Sequence, residues 1–414
     1  MRSLRRPESD LMAEAFLPYG RHWVDDEDIA AVADCLRSDW LTTGPRVEAF
    51  EKSFAEAVGA RFALVCANGT AALHLAALAG GVDSDDLGIA PTMSFLASAN
   101  GMRYAGAEIV FADADPDTGL VTPETFRAAI DKAGKPVKMA VVVHLNGQPV
   151  AMPEIGRIAN ENGIMLVEDA CHALGGSYRD EDGSSASIGA CRHSAMAVFS
   201  LHPVKTITMG EGGVITTNDE ALIARLRLLR GHGMVREPSQ FKNADMAFGQ
   251  GGAPNPWYYE MQELGYNFRA PDFACALAQS QLAKLPMFAE RRAAIKAEYD
   301  RLFDGFGDLV RPLAIASSVD PVLHLYPLLI NFEALGKDRG QIMGELRQQG
   351  IGTQVHYIPI HRQPYYAERY GALDLPGADG YYAKALSIPY YPMMEVEDAR
   401  RVAEAVRNVL RLNS

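Results

Sequence analysis

The chain has 414 residues, 39 Lys and Arg against 52 Asp and Glu, a formal net charge of −13 and 48 % hydrophobic residues. This is globular composition, long enough for two or more domains, and not that of a disordered chain. The acidic balance argues against broad nucleic-acid or anionic-membrane binding and leaves room only for a local anion pocket.

The five cysteines, Cys35, Cys66, Cys171, Cys191 and Cys275, are widely spaced and form no C-x-x-C. No metal is therefore expected, and the chain reads as reduced and cytoplasmic. Residues 1–10 are basic but no apolar stretch follows them, which predicts no signal peptide. The apolar run over 71–82 includes His74 and falls short of the roughly 18 residues a membrane span needs.

In chain order, helical spacing of Ile29, Val32, Ala33 and Leu36 predicts a helix over 25–36 with acidic residues in its first turn. A strand over 63–66 leads into a helix over 70–80. Apolar runs over 88–91, 108–111, 139–143, 164–167, 195–199 and 213–216 read as strands. Helices over 94–104, 123–133 and 152–162 separate several of them. Strands apolar on both sides and alternating with helices predict an α/β fold, its mostly parallel mixed sheet covered by helices.

A helix over 219–229 follows, then a polar excursion over 233–255 rich in Gly, Pro and Asn. Helices are expected over 271–285 and 287–303. Beyond them come a strand over 325–332, a helix over 339–349, a strand over 353–357 and a last helix over 395–410. The expected organisation is an N-terminal arm over 1–24, a large domain over 25–290 and a smaller α+β domain over 291–414.

Four features fall at strand ends or helix starts, where open α/β sheets bind ligands. Asn68-Gly-Thr-Ala-Ala-Leu73 puts small residues at a helix N-terminus, which suits a phosphate at Gly69 and Thr70 and equally suits a plain N-cap turn. Glu168-Asp-Ala-Cys-His172 ends an apolar strand, so the Asp169 carboxylate is expected to be partly buried, and a buried Asp needs a cationic or N–H partner. A pyridinium nitrogen, a metal or a structural Arg each meets that need. His172 lies one helical turn on. Lys205, in Phe199-Ser-Leu-His-Pro-Val-Lys-Thr-Ile-Thr-Met-Gly-Glu-Gly-Gly213, has small or apolar flanks that lower an amine's pKa and free it as a nucleophile. Ser200, five residues earlier, offers a hydroxyl to the same phosphate. Phe95 sits at another strand-to-helix junction, where it either stacks on a flat ring or packs in the core. Phosphate cradle, stacking ring, carboxylate and lysine are together the parts that pyridoxal 5′-phosphate requires.

Their order and wording resemble the sugar-nucleotide aminotransferases of the DegT/DnrJ/EryC1/StrS family over nearly the whole chain, from Leu17-Pro-Tyr-Gly20 to the last helix. The resemblance implies the aspartate-aminotransferase type I fold and a homodimer with active sites shared across its interface. It implies Lys205 as the covalent anchor of the cofactor and the proton carrier, Asp169 as the partner of the pyridine nitrogen, and His172 near the phenolic oxygen. Phe95 would stack on the ring. Gly69, Thr70 and Ser200 would hold the phosphate, and Asn267 would reach the phosphate of the neighbouring subunit. Dehydratase relatives carry His in place of the lysine, so Lys205 implies transamination, with L-glutamate as donor and a nucleotide-linked keto sugar as acceptor.

Cys191-Arg-His-Ser194, 257–269, His324-Leu-Tyr-Pro327 and 354–360 resemble the branch that makes UDP-4-amino-4,6-dideoxy-N-acetyl-β-L-altrosamine for pseudaminic acid. That implies amination at C4 of a UDP-linked 4-keto-6-deoxy-N-acetylhexosamine. Leu201 stands for a common Phe, and Arg269-Ala-Pro-Asp-Phe-Ala274 for Arg-Leu-x-Asp-Ile-Gln. Thr42, Thr43, His324, Tyr326, His356 and Tyr357 are the expected substrate contacts. The alternatives are a perosamine-type, legionaminic-type or 3-amino-sugar enzyme, or a non-catalytic cofactor-binding regulator. A nicotinamide enzyme would need G-x-G-x-x-G after the first strand, which is absent.

Overall fold

The computed structural model describes residues 15–412; of the arm expected over 1–24, residues 1–14 lie outside the described residues. A seven-stranded sheet runs in the order Phe62–Cys66, Gly213–Thr217, Met196–Ser200, Met165–Asp169, Met139–Val143, Leu87–Pro91, Glu108–Ala112. Gly213–Thr217 is antiparallel to both neighbours, and every other pairing is parallel. Leu87–Pro91, Met139–Val143 and Gly213–Thr217 are buried at every position, because helices cover both faces. The parallel register puts Pro91, Val143, Asp169 and Ser200 at one edge of the sheet, and the loops leaving that edge carry the site.

Helix Gly69–Ala79 follows the first strand. Asn68 caps it, its Oδ1 accepting from the Ala71 N–H at 2.8 Å. The helix is buried nearly all round, which its Ala-rich sequence permits. It packs closely on helix Ala97–Tyr104, where a Cβ on Gly101 would stand 2.8 Å from Leu73 Cβ.

A second hydrophobic cluster joins Tyr299 and Phe303 of helix Leu285–Phe303, Leu328 and Ile330 of strand Tyr326–Ile330, and Val402 and Val406 of helix Val396–Leu410. Leu17, near the start of the described chain, belongs to it. Its sheet is antiparallel, Val310–Pro312 and Ala385–Ile388 flanking Tyr326–Ile330. Ile360, Tyr366 and Tyr381 pack instead on the first core, so the C-terminal third of the chain contributes to both.

Several elements differ from expectation. Residues 353–357 form no strand; Gln354 makes one isolated bridge to Ser387. Ala385–Ile388 already occupies that edge of Tyr326–Ile330, and the chain carrying His356 and Tyr357 turns toward the large domain. The helix expected from residue 94 begins at Ala97. The excursion after 233 holds local order: Met234–Val235 pairs with Glu260–Met261, and Ala244–Ala247 is one helical turn. Helix Pro45–Val58, with Pro at its first position and Gly59 left-handed at its end, was not foreseen.

Candidate functional site

The loops at the sheet edge and residues 354–358 enclose a cavity of about 850 Å³. At one end lies the turn into helix Gly69–Ala79. The amides of Gly69 and Thr70 are first-turn donors with no acceptor inside the helix. An ideal Cβ on Gly69 would stand 3.1 Å from Ser200 Cβ, and one on Gly213 only 2.3 Å from the Asn68 carbonyl oxygen. Glycine at 69 keeps the turn open beside the Ser200 hydroxyl, and glycine at 213 lets two backbones touch. The result is a concave set of N–H and O–H donors suited to a phosphate.

Asp169 ends strand Met165–Asp169 and is 5 % exposed. Ser98 Oγ donates to its Oδ2 at 2.6 Å, and the Cys171 N–H donates to its Oδ1 at 3.2 Å. Ser98 has one proton and gives it to Asp169, so Ser94 Oγ, 2.7 Å away, donates to Ser98. On the other face of the strand, His144 Nε2 lies 2.9 Å from Glu168 Oε2 and Ser194 Oγ 2.5 Å from Oε1. That buried network fixes the strand whose last residue faces the cavity.

Lys205 lies in the loop after Met196–Ser200 and borders the same cavity. Burial holds its amine below the ordinary lysine range, opposed in part by Cys171 and Asp169. Phe95 is 55 % exposed on the cavity wall, its ring 5.9 Å from that of Tyr357. An anion cradle, a buried carboxylate, a desolvated amine and an aromatic wall fit pyridoxal 5′-phosphate as a donor set.

Histidines also line the cavity. His172 Nδ1 accepts from the Asn146 N–H at 3.2 Å, and its Nε2 is 3.1 Å from the Tyr357 hydroxyl. His324 packs 4.6 Å from the His172 ring, and its Nδ1 is buried without a partner. His356 Nδ1 meets Ser387 Oγ at 2.9 Å. Burial lowers all three, His356 to about 3, so each is neutral.

The structure thus gathers Gly69, Thr70, Phe95, Asp169, His172, Ser200, Lys205, His324, His356 and Tyr357 around one cavity. It does not bring the others there. Tyr326 is 2 % exposed in the second core and donates to Asp300 Oδ1 at 2.7 Å, which corrects the expectation of a substrate contact. Its place at the start of a fully buried strand dictates that position. Thr42 and Thr43 are exposed, their hydroxyls 3.5 Å apart and off the cavity wall. Asn267 is also exposed and off the wall; among the described residues only its backbone is engaged, in a bridge to Gly231. Sequence reading missed Tyr19, His74 and Gln354, all on the wall. The Leu17-Pro-Tyr-Gly20 motif was the available signal for Tyr19. His74 gave none, being one polar residue in an apolar helix.

No helix among the described residues is long and apolar enough to cross a membrane. Residues 23–407 match the DegT/DnrJ/EryC1/StrS aminotransferase family. The chain is similar to the spore coat polysaccharide biosynthesis protein SpsC of Bacillus subtilis, 35 % identical over 96 % of this chain and 97 % of that one. It is similar to the structure of PseC of Helicobacter pylori, described as an aminotransferase involved in pseudaminic acid biosynthesis. That match has a TM-score of 0.84 at 28 % identity and covers 96 % of this chain and 99 % of PseC. It is also similar to the putative sugar aminotransferase Spr1654 of Streptococcus pneumoniae in its PMP form, with a TM-score of 0.82 at 25 % identity, covering 95 % and 99 %. The chain belongs to the DegT/DnrJ/EryC1/StrS family and is an aminotransferase that uses pyridoxal 5′-phosphate.

Proposed function

We propose that the chain carries the amino group of L-glutamate to C4 of a UDP-linked 4-keto-6-deoxy-N-acetylhexosamine. The product would be UDP-4-amino-4,6-dideoxy-N-acetyl-β-L-altrosamine, a step of pseudaminic acid assembly in the cytoplasm. The observation carrying the transamination reading is that Lys205 and Asp169 border one cavity, the first held toward its neutral form by burial and the second supplied with two donors. The likeness to PseC supports the choice of sugar, and the family as a whole supports a sugar substrate.

When bound, the cofactor supplies an electron sink and a carbon that holds the migrating amino group. The protein residues have separate tasks. Gly69, Thr70 and Ser200 would hold the phosphate with backbone and hydroxyl donors. Asp169 would pair with the ring nitrogen and favour its protonated form, its own charge supported by Ser98 and the Cys171 amide. Lys205 would anchor the cofactor and, once a free amine, would carry a proton at the reacting carbon. Phe95 would cover one face of the ring. The neutral histidines of the cavity would present uncharged hydrogen-bonding groups to a sugar. A cavity of about 850 Å³ accommodates cofactor and sugar together. In this reading Asn267 serves the site of a second subunit, which accounts for its exposure here.

The test is a half-reaction panel. Protein in the aminated cofactor form is mixed with 4-keto and 3-keto nucleotide sugars, and the return of the visible cofactor band is followed. Fastest return with the UDP-linked 4-keto-6-deoxy-N-acetylhexosamine supports the proposal; a faster 3-keto or GDP-linked sugar replaces the acceptor. Borohydride reduction before digestion should leave the cofactor's mass on Lys205. Its appearance on another residue refutes the anchor.

A further inference from the structure

Residues 354–358 line the cavity, and the span they belong to crosses from one core to the other: Ile351 packs in the second and Ile360 in the first. The span is tied at both ends. At its start Gln354 and Ser387 exchange backbone hydrogen bonds of 3.1 and 2.8 Å. At its end the anchor is Thr92, fully buried just past strand Leu87–Pro91. The Thr92 carbonyl accepts from the Ile360 N–H at 2.8 Å, and its Oγ1 accepts from the His361 N–H at 3.3 Å. The same Oγ1 lies 2.7 Å from His361 Nδ1.

The direction of that last bond follows from its surroundings. Thr92 has one hydroxyl hydrogen, and His361 Nδ1 is its only acceptor among the described residues. Thr92 therefore donates, Nδ1 is bare, and the neutral ring has its hydrogen on Nε2. Nε2 is 3.9 Å from Asp379 Oδ1, a buried oxygen with no hydrogen-bond partner among the described residues, so the ring hydrogen and the orphaned acceptor share one place. Asp379 Oδ2 is engaged with Arg362 at 2.6 Å, and Asp113 accepts from the Gly377 and Ala378 amides at 3.0 and 2.8 Å. Burial holds His361 below its ordinary range against the pull of Asp379 and Asp113, Arg362 helping.

Thr92 also opens the loop that carries Phe95 three residues later. Phe95 and Tyr357 both border the cavity, their rings 5.9 Å apart. The bond between Thr92 and His361 thus joins the two stretches that carry these rings, while neither Thr92 nor His361 borders the cavity itself.

We propose that Thr92 and His361 are positioning residues: their hydroxyl-to-imidazole bond latches the 354–361 span to the sheet edge, sets its separation from the Phe95 loop, and so fits the cavity to the acceptor sugar. The acceptor rests on the proposed function; the latch stands on the protein alone.

The experiment has two arms. Hydrogen exchange of the cofactor-free full-length chain reads the latch. The Ile360 and His361 amides should exchange at least tenfold more slowly than in an unstructured chain, and the His361 amide should speed up at least tenfold in Thr92→Val, which keeps the shape and loses the hydroxyl. Failure of either expectation overturns the latch whatever the substrate proves to be. The second arm is kinetic, on the cofactor-loaded enzyme. Thr92→Val should raise the keto-sugar KM five-fold or more while kcat and cofactor affinity stay within twofold, and Thr92→Ser, which restores the hydroxyl, should return KM to within twofold of the parent. A smaller rise, a matching fall in kcat, or a serine variant as impaired as the valine one overturns the positioning role. Should Thr92→Val prove insoluble, His361→Asn, which keeps an acceptor near the place of Nδ1, is compared with His361→Leu by the same criteria. If the parent turns over no keto sugar, the functional reading fails and the exchange arm still decides the latch.

Discussion

Ser98 Oγ lies 2.6 Å from Asp169 Oδ2, and Ser94 Oγ lies 2.7 Å behind it. The two hydroxyls form a chain of donors ending on a buried carboxylate. A hydrogen bond to a charged group contributes about 1.5–3 kcal/mol, and removing it leaves Asp169 with the Cys171 amide alone. Ser98→Ala should weaken cofactor binding by roughly tenfold or more while the protein stays folded. Ser94→Ala, one hydroxyl further from the carboxylate, should cost less. Titration of each cofactor-free variant with pyridoxal phosphate, followed by the visible band, checks the order; equal losses would show that the chain of donors does not run in this direction.

Asp169→Asn keeps the shape of the side chain and removes its charge. In the proposed reading the ring nitrogen would then lose the group that favours its protonated form. Turnover should fall on the order of a hundredfold or more, the scale of losing one aligned electrostatic partner. Cofactor should still bind at the phosphate cradle. Single-turnover rates with L-glutamate measure the effect, and a near-parental rate would remove Asp169 from its assigned role.

Two glycines of the cradle should respond differently. A Cβ on Gly213 meets the Asn68 carbonyl oxygen at 2.3 Å, backbone against backbone, with nothing flexible to give way. Gly213→Ala should therefore destabilise the chain severely, by about 3 kcal/mol or more, or leave it insoluble. A Cβ on Gly69 meets only Ser200 Cβ at 3.1 Å, so Gly69→Ala should fold. It narrows the place a phosphate would take, and the expected result is a melting temperature near that of the parent with cofactor affinity reduced tenfold or more. Calorimetry with and without cofactor separates the two.

The parts legible in the sequence were those with strong local causes. The strands Met139–Val143 and Leu87–Pro91 announce themselves as apolar runs because both their faces are covered. Lys205 and Asp169 stood out because a charge among apolar or small neighbours has few innocent explanations. The antiparallel insertion of Gly213–Thr217 between two strands that run in the same direction was not legible, since register and direction are settled by long-range pairing. Residues 353–357 have strand-like spacing, yet the edge they would pair with belongs to Ala385–Ile388, about thirty residues away in sequence. Tyr326 shows the same limit at the level of one residue. Its motif pointed to a substrate, and packing against Tyr299 and Tyr390 claimed it for the core.

The histidine wall carries a pH signature. His172, His324 and His356 are held below their ordinary value of 6.5 by burial, His356 to about 3. On unfolding each regains a pKa near 6.5, so below that pH the unfolded chain binds more protons than the folded one. Stability then rises with pH through this window and is lost as pH falls, by about 1.4 kcal/mol per pH unit for each histidine fully engaged. Glu108 and Glu298, lowered to about 2 by their arginine partners, add to the loss only nearer pH 4. Between pH 6.5 and 5 the slope belongs mainly to histidines. Urea unfolding across that interval should show it in the cofactor-free chain, and His356→Gln should flatten it; an unchanged slope in the variant would mean that His356 is not neutral in the folded state.

Asn267 is exposed and outside the cavity, while the adjacent Phe268 lines it. If the side chain serves a second subunit, each site takes Lys205 from one protomer and Asn267 from the other. Lys205→Ala and Asn267→Ala homodimers would then both be impaired. In a mixed dimer one site inherits both substitutions and the other inherits neither. Random reassortment makes half of the dimers mixed, each with one intact site of two, so recombined protein should recover about a quarter of parental activity. Recovery requires subunits to exchange, which differently tagged chains report directly. Mixed dimers that form without any rescue would place Asn267 outside the partner's site and return the cofactor's phosphate wholly to the residues of one chain.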